Sequence, residues 1–144
     1  MQKVNIVCVG KIKEEFYRSA VSEYLKRLSR FAKVEIKEIA EDSLEAEAKD
    51  ILRAVRGYKI ALCIEGKKLS SEGLAKEVRA LCDKGEEMTF VIGSSTGLSE
   101  TVKEVADLKL SFSDMTFPHQ LMRVILLEQV YRAFMINSGS AYHK

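Results

Sequence analysis

Asp107-Leu-Lys-Leu-Ser-Phe-Ser-Asp-Met-Thr-Phe-Pro-His119 opens the last third of the chain, ahead of a long apolar run and the tail Gly139-Ser-Ala-Tyr-His-Lys144. Pro118 is the only proline among 144 residues, and it stands where a strand-like run gives way to helical spacing. Proline suits the first turn of a helix, because its φ is already helical and its missing N–H would be an orphan there. Beyond it, Leu121, Met122, Val124, Ile125, Leu126, Leu127, Val130, Phe134, Met135 and Ile136 cover nearly the whole circumference of the expected helix. A surface helix needs only one apolar stripe, so this one is expected to be covered on both sides. A second covering layer is hard to find within so short a chain. A partner subunit is the simplest source, and a homodimer built on the helix over 118–137 is expected.

Working back towards the N-terminus, the same alternation recurs. Residues 4–9 form a nearly continuous apolar run ending at Gly10, as expected of a strand buried on both faces. Phe16, Ala20, Val21, Tyr24, Leu25 and Leu28 follow at helical spacing. Residues 34–39 interleave charges and read as a strand near an edge. Asp42-x-x-Glu45 resembles a capping box ahead of Ile51, Leu52 and Val55, with Gly57 as the stop. A third strand over 60–64 is expected to run into a turn at Glu65-Gly66-Lys67-Lys68. Ser70 or Ser71 then caps a helix through Leu74, Val78 and Leu81 that closes near Gly85. A fourth strand over 88–92, a short helix over 100–106 and a fifth strand over 108–112 complete the pattern. Five alternations with short connections predict a single α/β domain over 1–144, its parallel sheet covered by helices on both faces.

Composition narrows the class. A hydrophobic content of 47% with 31% charged residues is ordinary for a soluble globular domain. The net charge of +2 does not by itself imply nucleic-acid binding. Between Lys11 and Lys37, however, eight Lys or Arg face four Glu, which is either a solvated helix face or a weak footprint for RNA phosphates. Cys8, Cys63 and Cys82 are odd in number, lack C-x-x-C spacing and lie in apolar runs. They read as small buried hydrophobes of a reducing compartment, not as disulfides or metal ligands. With no signal peptide ahead of the first strand and no apolar run long enough to span a bilayer, a cytoplasmic location is expected and no membrane partner.

Chemistry is expected where three loops follow apolar strands, at Glu65-Gly66, at Gly93-Ser-Ser-Thr-Gly97 and over 113–119. Ligands of open parallel sheets bind outside the carboxyl ends of the strands, so these loops can share one site. The Gly93 loop lets backbone approach a ligand closely, or it is only a turn. It lacks G-x-G-x-x-G and a phosphate-binding lysine, which argues against a nucleotide. His119 either serves the site or satisfies local backbone. Glu128 and Arg132 are an i,i+4 pair that interrupts an apolar helix, so they are expected to face a cleft or an interface. Tyr142-His143-Lys144 offers a phenol, an imidazole and an ammonium able to contact RNA.

Phe90-Val-Ile-Gly-Ser-Ser-Thr-Gly-Leu-Ser99, Met115-Thr-Phe-Pro-His-Gln-Leu-Met-Arg123, Glu128-Gln-Val-Tyr-Arg132 and Tyr142-His-Lys144 together resemble one family. It is the ribosomal RNA large subunit methyltransferase H family, a branch of the SPOUT methyltransferases. The resemblance implies a sheet with a C-terminal trefoil knot and a homodimer that needs no metal. It also implies transfer of a methyl group from S-adenosylmethionine to N3 of a pseudouridine in 23S rRNA, within the assembled ribosome. Carried over by position, it makes Leu62, Gly93 and Phe112, Ser113, Asp114, Met115, Thr116 and Phe117 the cofactor-binding residues. This sequence departs from the family pattern at Ser94, Cys63 and Ala141, where glycine, aspartate and proline are common. An imide N–H must lose its proton before the nitrogen attacks. His143 can accept it, or cations such as Arg132 can favour the ionised base, and Tyr142, His143 and Arg132 are the expected catalytic set. His119 is expected to shape its turn. Two rivals stand beside this reading: an α/β domain binding a nucleotide or other small anion at Gly93–Gly97, and a non-catalytic ribosome-associated factor.

Overall fold

Alternation along one strand sorts the molecule into its two halves. In β1 (Gln2–Val9), Val4, Ile6 and Cys8 enter one buried cluster while Val7 and Val9 enter another. This is the two-residue period of a pleated strand, and because both faces are covered it appears in sequence as an unbroken apolar run. The computed structural model describes residues 1–140. After β1 come α1 (Glu15–Leu28), β2 (Ala32–Ile39), α2 (Leu44–Ala54), β3 (Tyr58–Lys68), α3 (Ser71–Asp83), β4 (Met88–Ile92), α4 (Glu100–Val105), β5 (Leu108–Ser111) and α5 (His119–Asn137). The five strands pair in parallel in the order β2-β1-β4-β3-β5, so β2 lies at an edge, as its interleaved charges predict. All five residues of β4 are buried at the centre. Helices α1, α3 and α5 supply Val21, Leu28, Leu74, Val78, Leu126 and Val130 to the first cluster. From the other side, α2 and α4 supply Ala48, Ile51 and Val102.

Several local expectations shift by a residue or more. The cap of α2 is Ser43, whose Oγ accepts from the Ala46 N–H at 3.1 Å, while the Glu47 carboxylate accepts from the Asp42 N–H at 2.9 Å. The capping box expected at Asp42-x-x-Glu45 does not form: α2 has a serine cap whose N3 residue is Ala46, and Glu47 bonds back to the residue before the cap. Ser70, not Ser71, caps α3. Pro118 is the N-cap of α5, just outside its first turn. The larger correction concerns 65–68. Instead of turning there, β3 runs on to Lys68, and its pairing with β5 slips so that Leu62 and Lys67 both lie opposite Leu110. A Cβ on Gly66 would stand 2.7 Å from the Lys109 carbonyl carbon and 2.8 Å from Leu110 backbone. Gly66 is thus needed for close backbone approach across the bulge.

The covering of α5 is also different from expectation. Its neighbours α1 and α3 flank it within one chain, and no residue of α5 is exposed. Leu126, Leu127, Val130 and Ala133 are fully buried in the chain's own core. What is left for a partner is a half-buried outer strip that includes Leu121 and Ile125.

Candidate functional site

The carboxyl ends of β3, β4 and β5 open together into one cavity of about 780 Å³. Leu62, Cys63, Ile64 and Glu65 come from β3, residues 93–98 from the loop after β4, and Ser111, Phe112, Ser113, Met115, Thr116 and Phe117 from the end of β5 and its loop. His119 and Met122 of α5 and Lys103 of α4 close it. Its size suits a ligand of drug-like dimensions, and its walls mix apolar side chains with hydroxyls and backbone.

The loop after β4 is a tight turn. The Gly97 N–H donates to the Ser94 carbonyl at 2.9 Å, and Ser94 Oγ lies 2.8 Å from Thr96 Oγ1. Gly97 has φ +85°, whereas among the described residues none other than glycine has positive φ, so Ser94, where the resemblance would favour glycine, is unstrained. A Cβ on Gly93 would meet the Gly97 carbonyl oxygen at 2.5 Å and Leu98 Cδ2 at 3.0 Å. Gly93 is thus required by its own loop; ligand approach is a second matter.

Four ionisable groups, Cys63, Glu65, Glu100 and Lys103, meet on the β3 side. Lys103 Nζ lies 2.8 Å from Glu65 Oε1 and 3.7 Å from Glu100 Oε1. Hydrogen bonding to Lys103, then to the Cys63 thiol, holds the Glu65 carboxyl below its usual range, and the same Glu65 contact raises Lys103. Burial first, and the Glu65 hydrogen bond second, push the Cys63 thiol up to about 11. It stays a neutral thiol at physiological pH; of the three cysteines expected to be buried, Cys8 is, whereas Cys63 and Cys82 are only half-buried. Cys8 is likewise pushed up to about 11, chiefly by burial.

On the α5 side stands a polar cluster whose central arginine the sequence reading passed over. Arg123, 2% exposed, donates to Glu38 Oε2 at 2.7 Å and to the Gly10 carbonyl at 3.1 Å. His119 Nε2 lies 3.7 Å from Glu41 Oε1 and, with Arg123 Nε, is buried without a hydrogen-bond partner among the described residues. The cluster ties α5 to the ends of β1 and β2 and fixes the helix start that walls the cavity. The available signal was a cation four residues after His119 in an otherwise apolar helix.

Of the expected cofactor residues, Leu62, Gly93, Phe112, Ser113, Met115, Thr116 and Phe117 line the cavity. Asp114 belongs to the same loop but is exposed and pairs with Lys68 at 2.5 Å, outside the wall. Arg132 is not in this cavity. Thirteen residues beyond His119 on α5, it lies roughly 20 Å along the axis at 1.5 Å per residue. It donates to Glu128 at 2.9 Å, and Glu128 accepts from the Tyr24 hydroxyl at 2.9 Å. The pair therefore sits at the α1–α5 junction. Tyr142 and His143, like Ala141, lie outside the described residues. Among the described residues, no three His, Cys, Asp or Glu side chains gather where a metal would sit, and no helix is long and apolar enough to cross a membrane.

The fold superposes on solved chains described as methylases or methyltransferases. A probable methylase family protein from Haemophilus influenzae superposes with TM-score 0.65 at 10% identity, covering 99% of this chain and 71% of that one. A Legionella pneumophila methyltransferase in complex with S-adenosylmethionine superposes with TM-score 0.50 at 12% identity, over 92% of this chain and 66% of that one. At these identities the likeness is one of fold. A family model described as predicted SPOUT methyltransferase matches residues 2–143. Within that class, ribosomal RNA large subunit methyltransferase H from Lactobacillus acidophilus is 49% identical, covering 98% of this chain and 99% of its own. The Bifidobacterium animalis protein of the same name is 50% identical over the same shares. The chain belongs to the SPOUT methyltransferases and, among them, to the ribosomal RNA large subunit methyltransferase H family.

Proposed function

We propose that this protein binds S-adenosylmethionine in the cavity at the ends of β3, β4 and β5 and methylates N3 of a pseudouridine in 23S rRNA, in the cytoplasm, on the assembled ribosome. The observation that carries the reading is the cavity itself: apolar walls from Leu62, Phe112 and Phe117 for an adenine, beside a small-residue turn, in a chain of this family. S-Adenosylmethionine supplies the electrophilic methyl group, so the protein's task is position and electrostatics. Phe112 and Phe117 give flat apolar surface to the base of the cofactor, and the 111–117 loop wraps it with backbone. The Arg123 cluster holds the α5 end of the wall. A rival anion site at Gly93–Gly97 is disfavoured, because the Gly97 and Thr96 N–H groups are already engaged within the turn.

Arg132 and the tail leave α5 at the end far from this cavity. Ser140 donates to the Met135 carbonyl, roughly 20 Å along the helix from Met122, whereas four extended residues span at most about 14 Å. In this reading the tail does not serve the cavity of its own chain. A second copy related by a two-fold axis, packed on the outer strip of α5, brings the far end of one helix to the near end of the other. In this reading Arg132, Tyr142 and His143 act on the partner's cavity. His143 accepts the proton of the imide, or Arg132 favours the ionised base.

The test is methyl transfer from labelled cofactor to ribosomal particles and to naked rRNA at fixed salt, with the product nucleoside identified by mass. With a net charge of +2 the domain grips isolated RNA weakly, so particles are expected to be the better substrate. Equal kcat/KM on both, or label on another atom, contradicts the proposal.

A further inference from the structure

Leaving aside His119, whose Nε2 faces Glu41, the described charged side chains that line the cavity are one carboxylate, Glu65, and one ammonium, Lys103. They meet at 2.8 Å on the β3–α4 side, away from the aromatic wall of Phe112 and Phe117. The ammonium is held into the wall, its side chain 17% exposed, while the carboxylate, 56% exposed, reaches over it. Each keeps capacity in reserve. Lys103 has three N–H donors and meets two carboxylates, Glu65 and Glu100. Glu65 accepts from Lys103 at Oε1 and from the Cys63 thiol, and its two oxygens, with about four acceptor sites between them, leave room for a further donor.

This inference rests on the cofactor reading above and adds a subsite to it. S-Adenosylmethionine ends in an α-amino acid, with an ammonium and a carboxylate on one carbon. Neither charge is stripped of water without cost unless an opposite charge meets it. Ribose hydroxyls make no such demand, and the Ser94, Ser95, Thr96, Ser111, Ser113 and Thr116 side chains around the cavity offer neutral partners. We propose that the Glu65–Lys103 pair anchors the zwitterionic amino-acid end of the cofactor, Glu65 accepting from its ammonium and Lys103 donating to its carboxylate. The pair need not open, because each partner uses the capacity that the other leaves unused. Neither residue was singled out from sequence as a cofactor contact; they are 38 positions apart, and only the β3 bulge and α4 bring them together.

The experiment compares two ligands on the full chain by calorimetry. S-Adenosylhomocysteine carries the amino acid without the sulfonium charge, and 5′-methylthioadenosine keeps adenine, ribose and sulfur but lacks the amino acid. Lys103→Met and Glu65→Gln are each expected to weaken S-adenosylhomocysteine about tenfold or more, the scale of a lost charge-assisted hydrogen bond. Both should leave 5′-methylthioadenosine within about twofold of wild type. The swapped pair, Glu65→Lys with Lys103→Glu, recovers part of the loss. Parallel weakening of both ligands would assign the pair to ribose or to cavity shape and overturn the proposal, as would no weakening of either. A wild-type protein that binds neither ligand overturns the cofactor reading and this subsite with it.

Discussion

The two ends of α5 do different work. At its start, His119 and Met122 reach a cavity that one chain builds complete, held by Arg123 on Glu38 and Gly10. At its far end, Arg132 rests on Glu128 at the α1–α5 junction, with Tyr24 and Tyr131 under Arg27. The proposed cofactor contacts come from strand ends that the sheet gathers by itself. Arg132, of the proposed catalytic set, sits roughly 20 Å along the helix from His119, so in the proposed reading the pocket is built by one chain and the reaction centre by two.

The largest separation of the two ends is expected from deleting Tyr142 to Lys144. Methyl transfer should fall by roughly two to four orders of magnitude, the scale of a lost acid–base group, while S-adenosylhomocysteine affinity by calorimetry stays unchanged. Loss of binding as well would place the tail in the cavity of its own chain.

The near end is tested by stability. Arg123 is 2% exposed and Glu38 is 38% exposed, so the two halves of this pair are not equivalent. Glu38→Ala leaves a buried guanidinium without its carboxylate and is expected to cost about 3 kcal/mol or more in urea unfolding. Arg123→Met leaves a carboxylate that water can reach and should cost distinctly less. The opposite order would mean that Arg123 is held by something other than Glu38. Gly93→Ala follows, because its Cβ would meet the Gly97 carbonyl oxygen at 2.5 Å. It should lower Tm and cofactor affinity together, whereas a glycine kept for ligand approach alone would lose affinity at unchanged Tm.

The smallest effect concerns Cys63, pushed up to about 11 by burial and Glu65. Its folded pKa is raised, so the thiol holds its proton until pH nears 11, and alkylation at pH 8 should be slow. The rate should then rise about tenfold per pH unit towards that value, since the thiolate is the nucleophile. The linked stability is full below the unfolded pKa near 9 and is lost as pH climbs to about 11. A rate that levels off near pH 9 would show an ordinary exposed thiol.

Legibility in the sequence followed the range of the interactions. β1 and β4 were readable because burial on both faces leaves an unbroken apolar run, and α2 and α3 because capping is local, although the α2 cap lies at Ser43 and not at Asp42. Gly66 was misread as a turn because its cause is β5 backbone more than forty residues later. The need for Gly93 was assigned to a ligand when the nearest obstacle is the loop's own Gly97. Seven of the eight expected cofactor residues line the cavity, since they follow strands directly; Asp114 turns to Lys68 instead. Arg123 with Glu38 and Lys103 with Glu65 were invisible because each pair joins elements distant in sequence.

Mixing two inactive variants puts the shared site to its most direct test. Leu62→Arg spoils the cavity wall and keeps the tail, while deletion of residues 142–144 keeps the cavity and removes the tail. After subunit exchange, half of the dimers are mixed, and one of the two sites in each joins an intact cavity to an intact tail. Labelled methyl transfer to ribosomal particles should therefore return to about a quarter of the wild-type rate under random pairing. A mixture as inactive as its two components would show that cavity and tail act within one chain, and would contradict the account.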